Sequence, residues 1–323
     1  EILNLALKPS LMKTILNKSL TILLFAFSIG QLSFAQSAKE GFYYGDKIAH
    51  ESSVYIMTNQ HVIQRDTITF SCGDFIESSF PELWKATYHH LDSITYEKMD
   101  SVTFLKEMEK EGGDWLMFVH GAGKTFERAI WRAFDINHFH GINVVVFSWP
   151  ASNPREKPLK DLKGSLKRVP LSRRHLKESI LLMQQFRERP YNQGTKFSLL
   201  LHSMGNMFLE QMIDSGEMNE LHHQLFDNLI INAAAVNEKD HKRWVEQLDI
   251  QKRIYITTNK GDVNLKGVQL FTKYGRQLGE KIKSPPAKNA EYVNFSNAIG
   301  FELGPGVSHT YFIAEKAEAH PEI

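Results

Sequence analysis

Two stretches hold residues whose types and spacing suit acyl transfer. In FSLLLHSMGNMFLE, residues 197 to 210, an apolar run ends at His202, Ser203 follows, and a helical pattern opens at Met204. A serine on a sharp strand-to-helix turn lifts its hydroxyl above the sheet, beside a helix N-terminus. Gly205 lets that turn close tightly, and the Met204 N–H points where an oxyanion would form. A second donor, Ala122 or Gly123, is expected from the HGAG that follows the apolar run WLMFV at residues 115 to 119. Two such N–H groups, in place before reaction, stabilise developing negative charge by ~3 kcal/mol each.

Gly123-Lys124-Thr125 also suggests a phosphate loop, but that motif needs a glycine at position 118, which is Phe118. The dinucleotide fingerprint fails too, because its third glycine position is Phe126. No apolar run ends in an Asp that would hold magnesium. The loop therefore reads as an oxyanion hole.

A nucleophilic serine needs a base, and the base needs an orienting acid; where the serine sits on such a strand-to-helix turn, the chain order is Ser, acid, His. Asp262, in TNKGDVNLK, follows an apolar run, and His309 lies in GPGVSHTYF near the end of the chain. Glu238 and Asp240 compete for the acid's place, whereas His320 is too near the terminus to be positioned. The expected catalytic residues are Ser203, His309 and Asp262. The histidine pairs at 89/90, 138/140 and 222/223 lack metal-ligand spacing, so neither a metal nor a cofactor is expected. Trp149 reads equally as pocket wall or core.

These residues need elements that bring them to one edge. From residue 115 the chain alternates continuous apolar runs (115–120, 142–149, 196–201, 229–236, 253–258, 292–296) with helical patterns at 124–138, 172–188, 204–214, through Trp244 and near 264–279. Strands without polar alternation, each followed by a helix, mean a parallel sheet covered on both faces. Before them, residues 41 to 98 read as short strands at 54–57, 67–71 and 83–88, and 99–111 as a helix. The fold class is α/β, with a mostly parallel sheet of about eight strands.

The whole chain has 323 residues, 42% of them hydrophobic, and a formal net charge of +1, which gives no global signal for nucleic acid. Residues 1–35 have the layout of a signal peptide: Lys13 and Lys18, then the apolar stretch 20–29, then Ser33-Phe34-Ala35 as a cleavage pattern. Residues 1–11 read as lying upstream of a start at Met12. The apolar stretch is short of the roughly 20 residues that span a bilayer. The expectation is an exported protein, periplasmic or secreted, with 36–323 as one domain and no membrane span after cleavage.

The motifs resemble the α/β-hydrolase superfamily. More narrowly, FVHGAGKTFERAIWRAF, FSWPA at 147–151 and HSMGN at 202–206 are similar to a bacterial α/β-hydrolase family of unassigned function, and YIMTNQ at 55–60 resembles that family's opening strand. The resemblance covers most of residues 54 to 312. It implies an α/β-hydrolase fold and a serine triad, and no particular substrate. One position departs from the pattern: residue 201, usually Gly or Ala, is Leu201, which predicts a shifted elbow.

Esters are the default substrate, small or lipid-like, because an alkoxide leaves more readily than an amide nitrogen; a lipase, thioesterase or peptidase would use the same groups. The alternative is a binding or scaffolding protein that keeps the fold without turnover. Residues 153–177 carry nine Lys and Arg against two acids. They read as a solvated loop or as a basic flap over the site.

Overall fold

Strands β1 (Ser52–Thr58), β4 (Glu82–His89), β5 (Ser93–Met99), β6 (Trp115–Val119), β7 (Asn143–Ser148), β8 (Phe197–His202), β9 (Phe226–Asn232), β10 (Gln251–Thr258) and β11 (Ala290–Asn294) form one sheet in the order β11-β10-β9-β8-β6-β7-β1-β4-β5. The computed structural model describes residues 51–65, 68–89, 93–192, 194–271, 275–299 and 308–313. The proposed signal peptide, the proposed start and Gly304 to Gly306 lie outside them. From β11 to β1 every neighbouring pair is parallel, and β4 and β5 extend the sheet antiparallel. The early hydrophobic strand at 54–57 thus joins the parallel sheet, and a separate hairpin forms from β2 (Gln60–Arg65) and β3 (Ile68–Phe75).

Period-two side chains separate the two faces. Met117, Val119, Val145, Phe147, Leu199 and Leu201 point into the larger core, with α1 (Ser101–Glu111), α3 (Pro158–Glu188), α4 (Met207–Asp214) and α5 (His241–Val245). Leu116, Phe118, Val144, Val146 and Leu200 point into the other, against α2 (Phe126–His140). Both faces being covered is why these strands carry no polar alternation. Asp100 and Thr125 start their helices by accepting from the N–H of Thr103 (2.9 Å) and Arg128 (3.4 Å).

Three elements differ from expectation. The basic segment is no loop: α3 begins at Pro158 and runs 31 residues. Pro at the first turn suits a helix start, and Lys and Arg are good helix formers. The helix after β10, α6 (Val263–Phe271), stops well short of 279, because residues beyond it serve a backbone contact. Leu278 and Gly279 N–H bond the carbonyls of Val236 (2.9 Å) and Ala234 (3.0 Å), and a Cβ on Gly279 would lie 2.3 Å from Ala233. The helix after Ser203 starts at Met207, preceded by a 3₁₀ turn over Ser203–Asn206.

Candidate active site

The chain goes from β6 to β7 on one side, then crosses to β8 on the other side of β6. Strand order reverses there, and in open parallel sheets the crevice beyond the strand ends at such a point takes ligands. Both expected motifs leave the sheet at this place. Their backbones nearly touch: a Cβ built on Gly121 would lie 2.7 Å from Ser203 Cβ and 3.3 Å from its Oγ.

Ser203 has φ 54, the left-handed conformation that a non-glycine residue rarely holds. The turn is over-determined around it. Asn206 Nδ2 lies 3.0 Å from the carbonyls of Leu201 and Ser203 and 3.2 Å from that of Asn232, and Ala235 N–H bonds Ser203 O at 3.1 Å. This explains the Asn that closes HSMGN, to which sequence reasoning gave no role. Leu201 is wholly buried in the larger core. The space at Gly205 is bounded by the carbonyls of His120 and Val119, each 2.9 Å from where a Cβ would stand. Gly205→Ala is therefore expected to cost ~2 kcal/mol, the usual range for overpacking. Moving the turn by a fraction of an ångström also lowers any activity of Ser203 by up to ~10²-fold. Denaturant unfolding and reactivity of Ser203 toward an acylating probe measure the two effects separately.

Asp262 follows β10 and opens α6. Its Oδ1 accepts from Leu265 N–H at 3.0 Å, as a helix cap, while its Oδ2 lies 2.6 Å from His309 Nδ1. Asp262 is wholly buried and His309 is 7% exposed. His309 is held from both sides: Asn259 Nδ2 donates to Ser308 O at 2.8 Å, and Tyr311 OH pairs with Thr257 Oγ1 at 2.6 Å. One of the two rival acids is committed elsewhere. Glu238 Oε1 accepts from Lys283 N–H at 2.6 Å and Ser284 Oγ at 2.7 Å, closing the turn at 283–284. The Ser203 hydroxyl makes no hydrogen bond to His309 among the described contacts.

His202 links them. Its ring lies 4.5 Å from that of His309, centroid to centroid, and Nδ1 pairs with Asn232 Oδ1 at 2.8 Å. Asn232 Nδ2 donates on to Thr257 Oγ1 at 3.0 Å. Burial, then the neighbouring charge of His309, holds His202 well below the ordinary imidazole range. The sequence singled out neither this residue nor Asn232, since their pairing spans strands.

Of the two loop donors, Gly123 sends its N–H to Ala151 O at 3.3 Å, whereas Ala122 N–H bonds no group among the described residues. Gly123 is thus the weaker of the two oxyanion expectations, its donor being used within the loop; Met204 N–H is likewise unengaged among the described residues. The loop's entry is braced by His120 and Trp149. Trp149 N–H donates to His120 Nε2 (3.2 Å), His120 Nδ1 donates to Gly121 O (2.9 Å), and Trp149 Nε1 donates to His120 O (2.8 Å). Trp149 is fully buried, stacked on His120 at 5.7 Å, so it belongs to the core beneath the loop.

Burial lowers the His120 pKa from 6.5 to about 4. An unfolded chain therefore binds a proton between those values that the native state refuses. Stability is retained above pH 6.5 and lost as pH falls toward 4, by ~3 kcal/mol at most from this group. His202 acts with the same sign. Denaturant midpoints across that window should fall with acidification, and a neutral residue at 120 should flatten the slope; an unchanged slope would remove His120 as the cause.

Compared with known proteins, the sequence matches, over residues 97–318, the family model described as "Alpha/beta hydrolase of unknown function (DUF900)". Comparison with curated proteins finds no match. Among solved structures, an esterase from Pyrobaculum calidifontis is similar at 11% identity and TM-score 0.37, with 98% of this chain and 95% of that one covered. A dienelactone hydrolase from Anabaena variabilis is similar at 11% identity and TM-score 0.36, covering 78% and 93%.

Proposed function

The chain belongs to that family of alpha/beta hydrolases, and from this premise we propose that it is a serine hydrolase acting on carboxylic esters. Ser203 Oγ attacks the acyl carbonyl, His309 Nε2 takes its proton and returns it to the leaving alkoxide, and water then cleaves the acyl-enzyme by the same route. Asp262 orients the imidazole. Met204 and Ala122 supply the oxyanion N–H groups, and Gly121 gives the serine room. The observation that carries this reading is the buried 2.6 Å pair of His309 Nδ1 and Asp262 Oδ2 at the strand edge where Ser203 stands with φ 54. The substrate is a small or lipid-like ester, and the protein works outside the cytoplasm, directed by residues 1–35.

The test is to treat the purified chain with a fluorophosphonate and map the adduct by mass spectrometry. An adduct on Ser203 supports the reading. A folded, unlabelled protein would turn it to the second reading, a binding protein on the same fold, which the lack of a Ser203–His309 hydrogen bond favours. Apo sites often close that bond only with substrate present.

A further inference from the structure

Seven of the nine cations of residues 153–177 lie on α3, Arg155 and Lys157 preceding it. Arg168 pairs with Asp161 (3.3 Å), Arg173 with Glu217 (2.7 Å) and Lys177 with Glu220 (2.7 Å). Ser165, Val169, Ser172, His175 and Leu176 are buried on the inner face. The exposed residues of the first half of the helix are Leu159, Lys160, Lys163, Lys167, Pro170, Leu171 and Arg174. At 3.6 residues per turn they fall within about 120° of the circumference, opposite the buried side. That face holds four cations and no acid. Lys163, Lys167 and Arg174 have no ion-pair partner among the described residues, and Lys160 has only Glu156, one turn before it (2.8 Å). Leu159 and Leu171, 38% and 60% exposed, are two of the four large apolar side chains left exposed among the described residues.

We propose that this face of α3 docks on an anionic lipid bilayer. Charge complementarity selects a polyanion, and the two leucines select a surface with an apolar layer under its charges. They stand twelve residues apart, about 18 Å along the axis, with Lys160, Lys163 and Lys167 between them and Arg174 just beyond. The outer face of a helix is convex, which suits contact with a broad surface. Helices that rest in membrane interfaces combine such leucines with Lys and Arg in this way. The opposite side of the same helix reaches the oxyanion loop through one residue, Ala151. Ser165 Oγ, on the inner side, donates to Ala151 O, the carbonyl that also takes the Gly123 N–H of the oxyanion loop. A bilayer held by the helix that braces this loop makes lipid esters the substrates Ser203 would meet. That consequence rests on the hydrolase reading, while the docking itself does not.

The experiment is co-sedimentation with vesicles of phosphatidylcholine alone and of phosphatidylcholine mixed with phosphatidylglycerol. Wild type and variants are compared in the same chain form, so that any contribution of the apolar N-terminal stretch cancels. Binding to the mixed vesicles only is expected. It should fall at least ~100-fold in the Lys160→Glu, Lys163→Glu, Lys167→Glu, Arg174→Glu variant, each cation near an anionic surface being worth about fivefold. It should persist more weakly, and with greater salt sensitivity, in Leu159→Ser with Leu171→Ser. Equal binding by wild type and the charge variant would overturn the proposal. So would a leucine variant indistinguishable from wild type together with full competition by polyglutamate, which would point to an acidic protein partner. Fluorophosphonate labelling of each variant reports the catalytic reading separately. Vesicle binding by an unlabelled protein would sink that reading alone, and a labelled protein that ignores vesicles would sink the docking alone.

Discussion

Ser203→Ala is expected to lower ester turnover by about 10⁶-fold and to abolish fluorophosphonate labelling, with the fold unchanged. The size follows from the role: removing a serine nucleophile costs as much as removing its whole catalytic set, and leaves only what the oxyanion donors and binding contribute. The unchanged fold follows from the local structure. The Ser203 hydroxyl is bonded to no side chain among the described contacts, while the turn is held through its carbonyl by Asn206 and Ala235. Alanine keeps those bonds, and unfolding should shift by less than ~1 kcal/mol. Steady-state hydrolysis of a chromogenic ester, with unfolding followed on the same preparations, checks both halves. Hydrolysis that survives the substitution would show that another group is the nucleophile.

Asp262→Asn should cost about 10⁴-fold in turnover, the effect of forcing the wrong histidine tautomer. The reason is that Asp262 is bound on both oxygens. Oδ1 takes the Leu265 N–H at 3.0 Å, and Oδ2 faces His309 Nδ1 at 2.6 Å. An asparagine that keeps its oxygen on Leu265 turns its NH₂ on His309. The proton then moves to Nε2, which can no longer accept one from the serine. Flipped, the amide sets its NH₂ against the Leu265 N–H in a fully buried place. Asparagine still caps helices well, so the first arrangement costs little stability. The variant should stay folded, with its labelling rate reduced in parallel with turnover. A loss of only a few-fold would mean that another acid orients His309.

The basic segment shows where reading a sequence stops. Nine cations against two acids describe equally a loop, a flap or a helix, because composition has no direction. Only when Pro158–Glu188 is a helix do Arg168, Arg173 and Lys177 find their acids and Lys163, Lys167 and Arg174 remain outside. The sequence preferred Asp262 but held no ground for dismissing Glu238. Both follow strands that end on the same edge, and the turn at 283–284 that occupies Glu238 lies 45 residues further on.

What the sequence alone determined was local. Continuous apolar runs with helical patterns between them require a sheet covered on both faces. A glycine two residues after Ser203, and HGAG after another run, mark two tight strand exits. Those signals depend on neighbours a few residues away, through backbone sterics and the two- and 3.6-residue periods. The tertiary structure decided which exits meet. Gly121 reaches Ser203 because the chain reverses its strand order between β6 and β8. His309 meets Asp262 across 47 residues, and His202 meets Asn232 across 30. Hydrogen bonds at such separations depend on the order of the strands in the sheet, and no spacing within the chain encodes them.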